Sequence, residues 1–302
     1  MTGLESLSGV VAFVEAARAG SFTAAGKRLG ISKSAVGKSV SRLEERLGTK
    51  LFHRSTRKLT LTSDGQAYLA SCGAALDGIA EAEAVIGGTS GGPSGRLHID
   101  LAAAFGRHKL VPLLTRIVRE HIALHLTLSF NDRVIDPTEE GVDLVIRFGE
   151  SPDSSGLIAR KLTEQRRMIC AAPSYIAERG VPADPDALAD HACIVGYRLG
   201  SPLQWVVTRN GKAVRFAPPA SHQIGDGDAI VSMTLGGAGI SEMPESLVRH
   251  HIETGNLVRV LDDFEGPPIP VYAVWPGNRH LSPKLRFIVD VLKAEAQAGT
   301  FD

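Results

Sequence analysis

The sequence predicts an α/β chain that carries a separate helical head, and three observations support this. Apolar residues recur at helical spacing up to residue 86, a glycine-rich stretch interrupts them, and short apolar runs alternate with amphipathic segments beyond it. At 302 residues the length suits two or three domains. With 43% apolar and 22% charged residues, the composition is that of an ordinary globular protein. No apolar run approaches the roughly 18 residues of a membrane span. Met1-Thr2-Gly3-Leu4-Glu5 has neither a basic nor an apolar leader region, so a cytoplasmic location is expected and a membrane one is not. Cys72, Cys170 and Cys193 are too scattered for a disulfide framework or a zinc motif.

In the head, Leu4, Leu7, Val11 and Val14 mark one face of a first helix. Gly20 punctuates, and Ser21 caps a short second helix carrying Ala24, Ala25 and Leu29. Gly30 stops that helix. Ser32 caps a third, with Val36, Val40, Leu43 and Leu47 on one face and Gly48 as its end. Two helices joined by a short glycine-containing turn form a helix-turn-helix. Leu51 to Arg54 and Leu59 to Leu61 flank Ser55-Thr56-Arg57-Lys58 as a basic two-stranded wing. Residues 1–62 therefore read as a winged helix-turn-helix domain, all-helical apart from that wing.

Thr62, Ser63 and Asp64 open the next helix, residues 63–86. Tyr68, Cys72, Ala75, Ile79, Ala82 and Ile86 follow at 4-3-4-3-4 spacing, the seam of a coiled-coil partner helix. The alternative is packing on its own head. Dimerisation is favoured because ~23 helical residues span roughly 34 Å and overreach so small a head. Residues 87–95 hold five glycines, a proline and no apolar side chain, and read as a flexible hinge.

Beyond the hinge, Leu97 to Ala102 reads as a strand and Leu110, Leu114 and Val118 as a helix face. Leu124, Leu126, Leu128 and Phe130 alternate as a half-buried strand. Residues 144–148, 168–171, 192–195 and 271–274 are further apolar runs, and 229–235 and 283–296 look helical. Strands separated by helices argue for a parallel sheet. About 205 residues are too many for one lobe. Two lobes with a cleft are expected over 96–302, the first from 96–164 and 268–302, the second from 165–267.

The formal net charge of zero hides an asymmetry. Residues 1–60 hold eleven lysines and arginines against four acids, and the rest hold twenty-two against twenty-nine. A basic head on an acidic body suits a polyanionic partner; the bland alternative is a solvated basic face. On the third helix, the side opposite the apolar stripe carries Ser34, Lys38, Ser41, Arg42 and Glu45, with Lys33 and Gly37 near its start. Small hydroxyl residues let a helix approach a groove floor, while Lys and Arg reach guanine edges or phosphates.

Gly20 to Ala25, Leu29 to Val36, Arg42 to Gly48 and Leu51 to Arg54 together resemble the winged helix-turn-helix of LysR-type transcriptional regulators. Leu61-Thr62 with Gly65, Glu140 to Gly149, Gly225 to Ala229, and Gly236 to Ile240 with Pro244 resemble later parts of that family, in order along nearly the whole chain. Where the family has Ser-Arg-Gln on the recognition helix this chain has Gly37-Lys38-Ser39, and Lys33 replaces a common glutamine, so no operator sequence carries over. The resemblance implies a DNA site of Thr23, Ser32, Lys33, Ser34, Gly37, Lys38, Ser41, Arg42, Arg54, Arg57 and Lys58. It also implies a periplasmic-binding-protein-like pair of lobes with two crossover strands and a small-molecule effector in the cleft. Ala103, Ala104, Phe105, Phe148, Ser201, Asp226 and Gly227 are then placed near the effector. The turn Ala102-Ala103-Ala104-Phe105 has no hydroxyl donors, and Asp226 would repel a negative charge, so a neutral or partly aromatic effector is expected.

The resemblance further implies a dimer or tetramer on inverted-repeat DNA, switched by effector through lobe or dimer geometry; no cofactor and no metal are expected. Two rival readings stay in view: a solute-binding protein, opposed by the basic head, and an α/β hydrolase. Gly239-Ile240-Ser241-Glu242-Met243 lacks the last glycine of a nucleophile elbow. His98, His108, His121, His125, His250 and His251 lack zinc-ligand spacing, so no catalysis is expected.

Overall fold

The computed structural model describes residues 3–54, 59–86, 92–133, 135–149, 156–277 and 281–301. The chain divides into two compact units, Met1–Gly91 and Gly92–Asp302.

In the first unit, α1 (Gly3–Ala19), α2 (Phe22–Leu29) and α3 (Lys33–Leu47) close on a core that includes Val10, Phe13, Val14, Ala25, Val36, Val40 and Leu43. The buried face of α1 differs from the expected stripe. Val10, Phe13 and Val14 are buried, whereas Leu7 is 45% exposed. Phe13 sets that face, its ring centroid lying 5.2 Å from Phe52 and 5.6 Å from Tyr68. Leu47 likewise stands partly outside the core of α3, whose buried residues include Val36, Val40 and Leu43.

The caps fall where expected. The Ser21 hydroxyl accepts from Thr23 and Ala24, that of Ser32 from Ala35, and Gly30 and Gly48 end their helices at φ +66 and +70. A Cβ on Gly26 would sit 2.6 Å from the Ile31 carbonyl oxygen, so a side chain there would push the turn off α2.

β1 (Phe52–Arg54) and β2 (Leu59–Leu61) pair antiparallel, Phe52 opposite Leu61. The wing tip, with Arg57 and Lys58, lies outside the described residues, as do residues 87–91 of the expected hinge.

α4 (Ser63–Ile86) opens at Thr62, whose hydroxyl accepts the Gly65 N–H at 2.9 Å and donates to the Lys50 carbonyl at 2.7 Å. The expected dimer seam splits. Tyr68 and Cys72 pack on the head's own core beside Phe13, because the first turns of α4 lie against α1. Ala75 and Ile79 are exposed, and the side chains of Ala82 and Ile86 lie outside the described residues. The intramolecular alternative holds for the first two positions.

The second unit opens with β3 (Gly95–Leu101), α5 (Ala103–Phe105), a π-turn over Gly106–Leu110, and α6 (Val111–Glu120). β4 (Leu124–Phe130), β5 (Leu144–Phe148), β6 (Leu157–Gln165), β7 (Arg167–Ala171) and α7 (Pro173–Arg179) follow. Next come β8 (Cys193–Arg198), β9 (Ser201–Pro202), β10 (Trp205–Arg209), β11 (Lys212–Phe216), β12 (His222–Ile224) and α8 (Gly227–Leu235). β13 (Ile240–Pro244), α9 (Glu245–Glu253), β14 (Val258–Arg259), β15 (Ile269–Pro276) and α10 (Pro283–Gln297) complete it.

One sheet has the order β4-β3-β5-β15-β6, the other β12-β8-β13-β7-β14 with β9 beside β8. Neither is purely parallel, contrary to expectation. β3 runs parallel to β4 and β5, but β15 is antiparallel to both β5 and β6. The reason is connectivity: the chain leaves the first sheet along β6 and returns to it along β15. α6 and α10 cover one face of that sheet with a core that includes Leu97, Ile99, Leu101, Leu114, Ile146 and Ile288. Its other face carries a smaller cluster, Ile135, Val142, Val145 and Val274. Among the described residues no helix is long and apolar enough to cross a membrane.

Candidate functional site

In the first unit, the buried stripe of α3 turns its polar side outward. Lys33, Ser34, Lys38 and Arg42 are exposed, Gly37 and Ser41 half-buried, and Thr23 is exposed on α2. Lys33, Lys38 and Arg42 enter no ion pair among the described residues, so their charge is free for a partner. The Ser32 hydroxyl is committed to its cap and lies 2.9 Å from the Ser34 hydroxyl. Arg54 sits at the end of β1, with its side chain outside the described residues.

The sequence reading missed Glu44. Its side chain is fully buried at the back of α3 and accepts the Leu51 N–H at 3.0 Å and the Phe52 N–H at 3.3 Å. Lys50 Nζ lies 3.1 Å from its other oxygen. Glu44 thereby holds the wing to the exposed helix.

In the second unit, the turn after β3 is closed rather than open. Ala103, Ala104 and Phe105 are buried, and the Ala103 N–H already donates to Asp132 Oδ1 at 3.0 Å. Burial raises the Asp132 carboxyl above its usual range, against that N–H bond. Phe105 belongs to the core, edge-on to Phe148 at 5.2 Å and to Phe301 at 6.0 Å, so its buried ring presents no surface to an effector, unlike its expected placement near one. Ser201 stands exposed on β9, paired in the ladder with Arg198.

The structure does bring Ala104, Asp226 and Gly227 to one place. A Cβ on Gly227 would lie 3.0 Å from the Ala104 Cβ, so the start of α8 abuts the β3 turn. Asp226 caps α8 through the Ala229 N–H at 2.9 Å, and that bond, with Arg107 beside it, holds its carboxyl below the usual range. Asp226 does not stand as an unbalanced charge. Arg107 Nε donates to Asp228 at 2.6 Å and Nη2 to Asp226 at 2.9 Å, while His108 Nε2 lies 2.8 Å from Asp228. Arg107, His108, Asp132 and Asp228 form the polar part of this cluster, and none was singled out in the sequence for that role.

Arg107→Ala is expected to lower the stability of the full chain by about 1 kcal/mol at low salt. Both partners are a third or more exposed, which keeps the effect small. Urea denaturation with and without added salt tests it; an equal loss at both ionic strengths would show that charge is not the cause.

Among the described residues no three His, Cys, Asp or Glu side chains gather as metal ligands. Cys170 and Cys193 are buried, which pushes both thiols up to about 12.

The family model described as "Bacterial regulatory helix-turn-helix protein, lysR family" matches residues 7–66, and that described as "LysR substrate binding domain" matches residues 90–297. An HTH-type transcriptional repressor of Pseudomonas aeruginosa is 33% identical over 297 residues, 95% of this chain and 91% of its own length. The HTH-type transcriptional regulator CrgA of Neisseria meningitidis is 33% identical over 285 residues, 94% of each chain. The solved structure of CrgA superposes with a TM-score of 0.61 at 31% identity, covering 96% of this chain and 98% of its own. Full-length AphB, a Vibrio cholerae virulence activator, gives 0.59 at 28%, covering 95% and 98%.

Proposed function

This chain belongs to the LysR family of bacterial helix-turn-helix transcriptional regulators, and we propose that it reads its operator by laying α3 in the major groove. It is a DNA-binding regulator with an effector-binding domain in its second unit. The observation that carries the groove reading is the exposed face of Lys33, Ser34, Lys38 and Arg42, whose three cations enter no ion pair among the described residues, backed by the buried Val36, Val40 and Leu43. Lys33, Ser34, Gly37, Lys38, Ser41 and Arg42 reach bases and nearby phosphates, Thr23 and Ser32 touch backbone, and Arg54, Arg57 and Lys58 grip the flanking phosphates. The protein acts in the cytoplasm as a homodimer or homotetramer on an inverted repeat, with Ala75, Ile79, Ala82 and Ile86 of α4 contributing to self-association. It acts by binding rather than by catalysis.

A small-molecule effector shifts the balance of DNA-binding states through its differential affinity for them. The Arg107–Asp226–Asp228 cluster supports this reading, since it joins the turn after β3 to the start of α8 across the two sheets of the unit. Ala103, Ala104 and Gly227 line the same junction.

Lys38→Ala tests the groove reading. Its binding to the specific operator is expected to weaken by about 2 kcal/mol while binding to scrambled duplex changes far less, because a good base contact contributes discrimination. Fluorescence anisotropy with both duplexes at one salt concentration measures it. Equal losses on the two would confine Lys38 to the phosphate backbone.

A further inference from the structure

The chain between α3 and α4 passes through a tight joint built by Thr62 and Gly65. Thr62 commits every polar group it has. Its N–H donates to the Leu51 carbonyl at 3.0 Å, and its hydroxyl donates to the Lys50 carbonyl at 2.7 Å. The same hydroxyl accepts the Gly65 N–H at 2.9 Å, and the Thr62 carbonyl accepts the Gln66 N–H at 2.9 Å. A Cβ on Gly65 would stand 2.0 Å from the Leu51 carbonyl oxygen and 3.1 Å from Leu61 Cδ2. The first turn of α4 therefore rests directly on the Leu51 peptide, with no room for a side chain. Beside it, the Thr49 hydroxyl donates to Asp64 Oδ2 at 2.6 Å.

The other side of the joint is fixed to α3. The Thr49 N–H donates to the Glu44 carbonyl at 3.3 Å, and the Glu44 carboxylate accepts the Leu51 and Phe52 N–H groups. Thr49 and Leu51 are thus each bonded both to α3 and to the start of α4. Tyr68 adds an apolar contact between α4 and Phe13 of α1, the ring centroids 5.6 Å apart. Apolar contact is non-directional, so the hydrogen-bonded joint is what sets direction.

We propose that this joint holds α3 at a fixed angle to α4 and so sets the spacing between the two half-sites that a dimer accepts on DNA. Thr62 and Gly65 are its positioning residues. The proposal rests on the readings above of α3 as the groove reader and α4 as the self-association helix. α3 spans 15 residues. Its Lys33 end therefore lies about 22 Å from the joint, at a rise of about 1.5 Å per residue. A turn of about 10° at the joint moves that end by about 4 Å, roughly one base-pair step along DNA. In dimeric helix-turn-helix proteins half-site spacing follows from such geometry. A joint that served folding alone would, when loosened, weaken binding to every duplex evenly. A joint that positions would change which spacings are accepted.

The test uses the full-length protein and the tightest inverted-repeat duplex recovered from a randomised pool. Fluorescence anisotropy compares that duplex with versions whose centre is longer or shorter by up to about three base pairs, and with a single half-site. The parent should lose at least about tenfold in affinity two steps from its optimum. Gly65→Ala should move the optimum by about one base pair, because the added carbon pushes α4 off Leu51. Thr62→Val drops both hydroxyl bonds and should flatten the preference to about threefold or less. Thr62→Ser, which keeps the hydroxyl, should restore it. Asp64→Ala, at an exposed side chain, should flatten the preference in the same sense and keeps the test open if Gly65→Ala does not fold. Half-site affinity and sedimentation should match the parent's in each folded variant. A spacing preference that the variants leave unchanged overturns the joint alone. So does an even loss across all spacings and the half-site, which marks a joint that serves folding only. A parent that sediments as a monomer, or that binds the half-site as tightly as the repeat, overturns the proposal together with the self-association reading.

Discussion

Glu44→Ala is expected to destabilise the DNA-binding head by about 4 kcal/mol, the range found when one partner of a buried charged contact is removed. The ion pair to Lys50 is not the main reason, since that lysine is 70% exposed. The larger loss comes from the Leu51 and Phe52 N–H groups, which give up their acceptor while remaining buried. The same joint is tight elsewhere. Thr62 donates its N–H to the Leu51 carbonyl at 3.0 Å, and a Cβ on Gly65 would meet that carbonyl oxygen at 2.0 Å. With the wing loosened from α3, affinity should fall for specific and scrambled duplex alike, because wing contacts are to phosphates. Glu44→Gln keeps one carbonyl acceptor and should lose only about 1–2 kcal/mol. Circular-dichroism melts and anisotropy on both variants check this. Equal small losses would mean that the carboxylate is incidental to the wing.

The parts of this fold that were legible in the sequence are those written locally. Ser21, Ser32, Gly30 and Gly48 bound their helices because a cap depends on its nearest few residues. The ends of α4 coincide with the expected 63–86 for the same reason: Thr62 begins the helix and the glycines follow it. One local signal went unread. Asn210-Gly211 sits in left-handed backbone at φ +50 and +72 and turns β10 into β11, a standard hairpin dipeptide.

What was not legible depends on distance along the chain. The Arg107 pairs to Asp226 and Asp228 span 119 and 121 residues, so no spacing rule on one helix or strand reaches them. Tyr68 and Cys72 show a subtler limit. A heptad-like stripe states that a face must be covered, and Phe13 of the same head covers part of it. Arg147 lies within the Glu140 to Gly149 stretch, yet only the fold shows that its Nε and Nη2 are buried without a hydrogen bond.

The stability of the full chain is expected to fall by about 3 kcal/mol between pH 4.5 and pH 7 through Glu242 alone, relative to Glu242→Gln. Glu242 lies on β13 with its side chain 7% exposed, accepting the Val206 N–H at 3.2 Å and facing Arg167 Nη1 at 3.2 Å. Burial pushes its carboxyl up to about 7 from an ordinary 4.5, against the pull of Arg167 and of the Val206 N–H. The folded chain therefore holds this proton up to about pH 7, whereas the unfolded chain releases it near pH 4.5. Between those values the folded state binds more protons, so stability declines as pH rises, and above about pH 7 the loss is complete. Asp226, Glu265 and Glu295, whose carboxyls lie below their ordinary range, work the other way, losing stability as pH falls through that range. The difference between parent and Glu242→Gln cancels them. Urea denaturation of both proteins at pH 5 and pH 8 measures that difference. If it stays flat across the two pH values, Glu242 ionises in the folded state as it does in water, and the β10 strand is held at Val206 by an ordinary carboxylate.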